Sequence, residues 1–349
     1  MRPHCLVCDL QDLIALRTCE RTVVRMSQRV VVVGAGVIGL TTAVQLAEAG
    51  HRVDVVAAEP PQATTSAVAG ALWGPWLVEP RERVLPWAAR GLKVLRELAD
   101  HPNSGVRVAT GMEISRQSYD PPDWANLLPD RTPCASEDLP PGYSHGVRYS
   151  APLVDMPVHL DYLLARLHAA GGTLTIQRLT SLEQAGTDSQ TTIVNCSGSG
   201  ARQLVPDLDL FPVRGYHVVT TNPGLTEFLE ADTEDSADLL AIYPHDDHVI
   251  LGGTAEPKVW NRDRDDTIAA AIVDRCVRLE PRLVDATVLE HRVGLRPTRP
   301  TIRVEAERSA IGSLIIHNYG HGGAGVSLGW GCAQEVAELL LAASQATDI

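Results

Sequence analysis

The sequence predicts an α/β fold class: one domain built on a parallel sheet, and a second, α+β domain whose sheet is mainly antiparallel. Three stretches carry that prediction. A run of valines over 30–33 meets Gly34, Gly36 and Gly39 and passes into a helical pattern. Near the other end, residues 314–331 again read as strand, glycine-rich loop and helix. Between them, 212–221 (PVRGYHVVTT) and 249–253 (VILGG) read as strands of an antiparallel sheet in another domain.

The first stretch is the most informative. A continuous β-branched run suits a parallel strand buried on both faces. The glycines after it stand in GxGxxG spacing. The first permits a tight turn, the second lets the backbone approach a pyrophosphate, and the third lets the helix pack closely on the strand. Val37 and Ile38 open that helix, Val44, Leu46 and Ala47 continue its apolar spacing, and Gly50 caps it. A second strand over 53–57 runs toward Glu59, twenty residues beyond Gly39, where a Rossmann-like fold sets a carboxylate against the adenosine ribose hydroxyls. A GxGxxG turn standing alone is equally a plain tight turn. Strand, turn, helix, strand and acid in register select dinucleotide binding. The hydroxyls of Thr64, Thr65 and Ser66, with neighbouring backbone N–H groups, then suit phosphate contact.

Bulk properties narrow the class. At 349 residues the chain can form two domains sharing an interface. A net charge of −13 with no basic run argues against nucleic acid and anionic membrane surfaces, since both need a positive field. No stretch has the roughly eighteen apolar residues of a membrane span, so a cytoplasmic protein is expected. The cysteines, Cys5, Cys8, Cys19, Cys134, Cys196, Cys276 and Cys332, are odd in number and scattered, which reads as reduced thiols rather than a disulfide framework. Cys5 and Cys8 form a lone CxxC without a partner motif, and no metal site is expected.

Residues 1–25 carry charges at Arg2, Asp9, Asp12, Arg17 and Glu20, which leaves no clean apolar core for a signal peptide. A disordered extension is expected there, with Met26 as a natural start. Further along, the patterns predict a helix over 81–100, a strand over 106–109, a helix over 159–170, and strands over 173–176 and 192–195 that return to the parallel sheet. The acidic stretch 223–239 is expected to be a loop or lid. A helix over 267–279, strands over 292–300 and 311–317, and a helix over 326–343 complete the chain. The nucleotide domain is then discontinuous, formed by 26–76, 152–211 and 292–349. The second domain takes 77–151 and 212–291.

In order along the chain, GAGVIGL (34–40), ALW (71–73), RGY (214–216), LGGT (251–254), GLRPTRP (294–300) and LIIHNYGHGGAGVSLGWG (314–331) resemble the D-amino-acid oxidase family. The resemblance spans about residues 26–341. It implies a flavoprotein with FAD extended across the parallel sheet, an antiparallel substrate domain over the flavin ring, and a small-molecule amino-acid substrate with O2 as its partner; a homodimer is compatible with it. It also implies cofactor contacts at Ala71 and Leu72 of ALW, and a backbone contact to adenine at Leu179. A helix N-terminus carries about half a positive charge. The backbone of Gly322, Gly323, Gly325, Val326 and Ser327 could therefore stabilise negative charge at the pyrimidine edge of reduced flavin; on the residues alone, a tight strand-to-helix turn is an equal alternative. His321 in this loop reads as structural rather than as a base.

Arg296 matches the arginine that, in the family, holds the substrate carboxylate by a two-pronged salt bridge, and a planar guanidinium is the right shape for that. The alternative is an ordinary surface arginine, like Arg299. The carbonyl of Gly323 matches the family's acceptor for the substrate amine. Three departures concern the substrate side. Ala241 stands where the family has a tyrosine, while Tyr243 lies two residues on, on the same strand face and about 6.6 Å away; its phenol could reach the carboxylate or simply pack in the core. The commoner RGQ is Arg214-Gly215-Tyr216 here, and Gly74-Pro75-Trp76 follows Trp73. The resemblance implies oxidation of a D-amino acid, or a related amine acid, to the imino acid and then the 2-oxo acid and ammonia, with O2 reduced to H2O2. The alternative is a flavin-dependent dehydrogenase or biosynthetic oxidase of a secondary amine or modified amino acid. A catalytically silent nucleotide-binding protein is a third reading, against which Arg296 argues.

Overall fold

The computed structural model describes residues 27–118, 120–186, 188–232 and 240–345. The extension expected over 1–25, and the last part of the acidic stretch, lie outside the described residues. The elements run β1 (Arg29–Val33), α1 (Val37–Glu48), β2 (Arg52–Ala57), α2 (Arg81–Ala99), β3 (Val106–Ser115), β4 (Thr132–Pro133), β5 (His145–Val154), α3 (Met156–Ala169), β6 (Thr173–Ile176) and β7 (Thr192–Asn195). They continue with α4 (Ala201–Leu204), β8 (Phe211–Thr221), β9 (Phe228–Ala231), β10 (Leu240–Pro244), β11 (His248–Gly252), β12 (Glu256–Pro257), α5 (Asp266–Leu279), β13 (Val288–Arg308), β14 (Leu314–His321) and α6 (Gly325–Gln345).

One continuous mixed sheet results. At one end β14, β7, β1, β2 and β6 are hydrogen-bonded side by side, all in parallel. The strands of β1 and β7 are buried throughout their apolar runs because helices cover them; Val30 and Val32 are fully buried. Each such valine gains about 1.5–3 kcal/mol by leaving water. At the other end β9, β10, β11, β8 and β13 pair antiparallel, and β9 pairs β3 in parallel. A second apolar core, with Ile114, Tyr216, Val218, Ile242 and Leu251, forms beneath α5.

The two parts are joined by a single strand. β13 pairs with β8 from Val288 to Thr298 and with β14 from Thr298 to Arg308, with a register shift between Thr298 and Arg303. Arg296 stands just before that shift, on the strand that joins the two parts of the sheet.

Most expected elements appear with ends shifted by a few residues. Three differ more. The strand expected over 106–109 continues to Ser115, because its partner β5, which the sequence patterns did not reveal, pairs with it along its full length. The stretch read as a loop over 223–239 contains β9, held between β10 and β3. The strand expected over 292–300 begins at Val288 and runs to Arg308. Gly50 does cap α1 as expected, with φ at +93° and its N–H on the carbonyl of Ala47.

Candidate active site

The turn after β1 is built on glycine. Gly34 has φ at +116°, and a Cβ there would lie 2.4 Å from the carbonyl oxygen of Cys196. A Cβ on Gly39 would lie 1.9 Å from the carbonyl oxygen of Gly34. Neither position admits a side chain, so strand, turn and helix are locked together with bare backbone at the surface of the turn. Gly36 is the N-cap of α1 and offers no side-chain cap. Among the described residues, the Val37 N–H donates to Ser66 Oγ at 2.9 Å, while those of Ile38 and Gly39 meet no acceptor. The loop that brings Ser66 is itself fixed: Thr64 Oγ1 donates to the carbonyl of Pro61 at 2.7 Å and Thr65 Oγ1 to that of Leu295 at 3.2 Å.

The N-terminus of α6 arrives at the same place. A Cβ on Gly325 would be 3.7 Å from Val37 and 3.8 Å from Ile38. The N–H groups of Gly323, Gly325, Val326 and Ser327 meet no acceptor among the described residues. Gly322 departs from the expected set of donors, since its N–H is taken by the carbonyl of Pro297 at 2.8 Å. Ser327 Oγ accepts from the N–H of Gly74 at 3.0 Å, tying the segment after Trp73 to this helix start. Ala71 adopts φ of +57°, and its carbonyl accepts from Val154; Leu72 bridges to Leu153. Two helix N-termini with unpaired donors over glycine backbone are what an extended, anionic dinucleotide needs, so the residues fit FAD. At the far edge Glu59 follows β2 and makes long ion pairs with Arg178 (4.0 Å) and Arg262 (3.7 Å). Leu179, just beyond β6, packs among Val33, Leu182, Ile193 and Ile315.

Arg296 occupies the other side. Its Nη1 donates to the carbonyl of Thr254 at 2.9 Å, and its Cδ would be 3.6 Å from a Cβ on Gly323. Burial lowers its pKa below the ordinary arginine value, and among the described residues no carboxylate pairs with it. A half-buried guanidinium without an anion is a costly arrangement that a ligand's carboxylate would relieve. No donor among the described residues reaches the Gly323 carbonyl either.

Tyr243 is also buried, with its ring against Gly70. Its hydroxyl donates to Glu230 Oε1, and Tyr149 donates to Oε2 of the same carboxylate at 3.3 Å. Burial pushes Glu230 up to about 7. His217 borders Arg296, donates from Nδ1 to the carbonyl of Val68 at 3.0 Å, and is held down to about 4 by burial and then by Arg296. Sequence reasoning missed Glu230, Tyr149 and His217. The register could have found Glu230, which sits opposite Ala241 across β9 and β10, had that strand been recognised. His321 is buried and neutral, lowered to about 3 by burial alone, which suits a structural histidine.

The chain is similar to known proteins over most of its length. Residues 29–339 match the family model described as FAD dependent oxidoreductase, DAO. The chain is 49% identical over 320 residues to a D-amino-acid oxidase of Rubrobacter xylanophilus, covering 91% of this chain and 98% of that protein. It is 46% identical over 313 residues to a D-amino-acid oxidase of Streptomyces coelicolor, covering 89% and 96%. In fold it resembles the crystal structure of glycine oxidase from Geobacillus kaustophilus, with TM-score 0.74 and 18% identity over 90% of this chain and 95% of that one. The chain belongs to the DAO family of FAD-dependent oxidoreductases, and its cofactor is FAD.

Proposed function

We propose that the protein oxidises D-amino acids, with Arg296 binding the substrate carboxylate, Gly323 orienting the amine, and O2 as the final acceptor. The observation that carries the reading is Arg296: a half-buried guanidinium with no carboxylate partner among the described residues, beside a backbone acceptor at Gly323 that no donor among them reaches. FAD, when bound, supplies the acceptor for the hydride that leaves the α-carbon. The rest is positioning. Two-pronged pairing with Arg296 fixes the carboxylate, the neutral amine donates to the Gly323 carbonyl, and these two anchors set the α-hydrogen in one direction. No side-chain base is required. His217 and His321 are both held neutral by burial.

In this reading the parallel part of the sheet, with α1 and α6, holds the cofactor, and the antiparallel part covers the substrate. Gly34, Gly36, Val37, Ile38 and Gly39, with Thr64, Thr65 and Ser66, face the pyrophosphate; Glu59 and Leu179 lie toward adenosine, and Ala71 and Leu72 along the cofactor. Gly325, Val326 and Ser327 stand at the flavin. The imino acid leaves and hydrolyses to the 2-oxo acid and ammonia, O2 becomes hydrogen peroxide, and the setting is the cytoplasm. Peroxide release from the purified flavoprotein against a panel of D-amino acids tests this. Turnover with D-isomers that yields one peroxide per 2-oxo acid supports it; turnover only with an artificial electron acceptor would instead mark a dehydrogenase.

A further inference from the structure

Away from the flavin-binding helices, Asp155 at the start of α3 meets two histidines of the turn between β10 and β11. One potential ligand atom from each of Asp155, His245 and His248 lies within 4.8 Å of the other two. We propose that they form a site for a divalent transition-metal ion of the zinc type, with three protein ligands and one open position.

The chemistry of each group supports this. His245 is 7% exposed, and its Nε2 is buried without a hydrogen-bond partner among the described residues. The Nε2 of His248 is likewise buried and unpartnered. Two adjacent imidazoles that each forgo a hydrogen bond to a buried nitrogen are costly unless something binds there. The other nitrogen of His248 explains which form it takes. Its Nδ1 donates to Asp247 Oδ1 at 2.7 Å, leaving Nε2 as the lone pair, and a carboxylate behind a histidine is the usual outer support of a metal-bound imidazole. Asp155 completes the set. It is the N-cap of α3, yet its carboxylate makes no capping bond, although capping is what aspartate at that position normally does.

The spacing defines what an ion would have to draw together. Among the described residues, no hydrogen bond or ion pair joins Asp155 to either histidine. The two imidazoles stack on each other, with ring centroids 4.6 Å and planes 11° apart, so one ring must turn for both Nε2 lone pairs to meet a single ion. Three ligand atoms about 2.1 Å from one tetrahedral ion stand about 3.4 Å apart, so a separation of up to 4.8 Å must close by as much as about 1.4 Å when the ion binds. The backbone holds the cluster in place: His245 N–H donates to the carbonyl of His248 at 2.7 Å, and Asp155 N–H to that of Gly105 at 2.7 Å. The charges around it are mixed. His248, Arg107, Arg292 and Asp247 all act on His245, the last with opposite sign, and Arg107 itself is held by the carbonyl of Pro244 and by the field of Asp246. An ion here would tie the β10–β11 hairpin to the start of α3, a helix packed on α1. That links the antiparallel sheet to the layer over the parallel strands.

The test uses the FAD-loaded protein, freed of metal with a chelator and titrated with zinc. One zinc per chain, an upward shift in melting temperature, and, with cobalt in its place, the visible absorption of a four-coordinate ion are expected. His248→Ala should weaken binding at least tenfold, and Asp247→Asn, an exposed position that leaves the three ligands intact, by about tenfold. Substoichiometric zinc, an octahedral cobalt spectrum, or an undiminished affinity in both variants overturns the proposal, and the Asp247→Asn result decides the matter if His248→Ala does not fold.

Discussion

The guanidinium of Arg296 packs directly on the backbone of Gly215: a Cβ there would stand 2.5 Å from its Cζ and its Nη1. Gly215 belongs to β8, and its pairing partner Gly294 lies two residues before Arg296 on β13. The strand is thus bare where the arginine crosses it. Gly215→Ala should fold, because the clash falls on the end of a flexible side chain, but it should turn the guanidinium away from its carbonyl partner. A rise of at least about tenfold in KM for the amino acid, with unchanged flavin content, is expected in steady-state kinetics.

At the cofactor side the tolerance is smaller. A Cβ on Gly39 would meet the carbonyl oxygen of Gly34 at 1.9 Å, and both atoms are backbone. Gly39→Ala must therefore separate α1 from the turn that its N-terminus serves. Flavin per chain, read from the visible absorbance of the purified protein, should drop severely together with the melting temperature.

The position of Tyr243 makes another prediction. Its same-face relation to Ala241 suggests a phenol aimed at the substrate carboxylate, but the hydroxyl donates to Glu230. Tyr243→Phe removes one of the two phenols that donate to that half-buried carboxylate, at a cost of about 1–3 kcal/mol. Melting temperature should fall while KM changes little. A raised KM at unchanged stability would show instead that the phenol reaches the substrate.

Glu230 adds a pH dependence. Its carboxyl, ordinarily near 4.5, is pushed up to about 7 by burial. Between those values the folded protein holds a proton that the unfolded chain has released, so stability falls as pH rises through the window. Each tenfold difference in proton affinity between the folded and unfolded chain corresponds to about 1.4 kcal/mol. Glu230→Gln, which cannot ionise, should gain stability relative to the parent as pH rises from 5 to 8, by no more than about 3 kcal/mol. Melting curves of both proteins across that range check the sign.

The cofactor side was legible because its signals are local. A valine run, three glycines at fixed spacing and a second glycine-rich loop each fall within a few turns of chain, and the structure gives them the expected strand, turn and helix. Arg296 was reached only through a resemblance, since nothing local distinguishes it from Arg299, which the structure pairs with Asp207 at 2.8 Å. What remained hidden depends on pairing between distant segments. β9 is four residues long and lies in an acidic stretch, so its pattern is too short to reveal a strand, and Glu230 acquires its role only when β9 lies beside β10. The same holds for Asp155, which is far in sequence from the two neighbouring histidines and meets them only in the fold.

The central claim is that Arg296 reads the carboxylate of a D-amino acid held against the flavin. Anaerobic bleaching of the flavin absorbance tests it most directly, with one D-amino acid, its L-isomer and the amine lacking the carboxylate presented in turn to the parent protein and to Arg296→Lys, which keeps the charge but loses the fork. The account predicts rapid bleaching of the parent by the D-isomer alone, and at least about tenfold weaker apparent binding of that isomer by the variant. Equal bleaching by the L-isomer or the decarboxylated amine, or an unchanged affinity in Arg296→Lys, would contradict it.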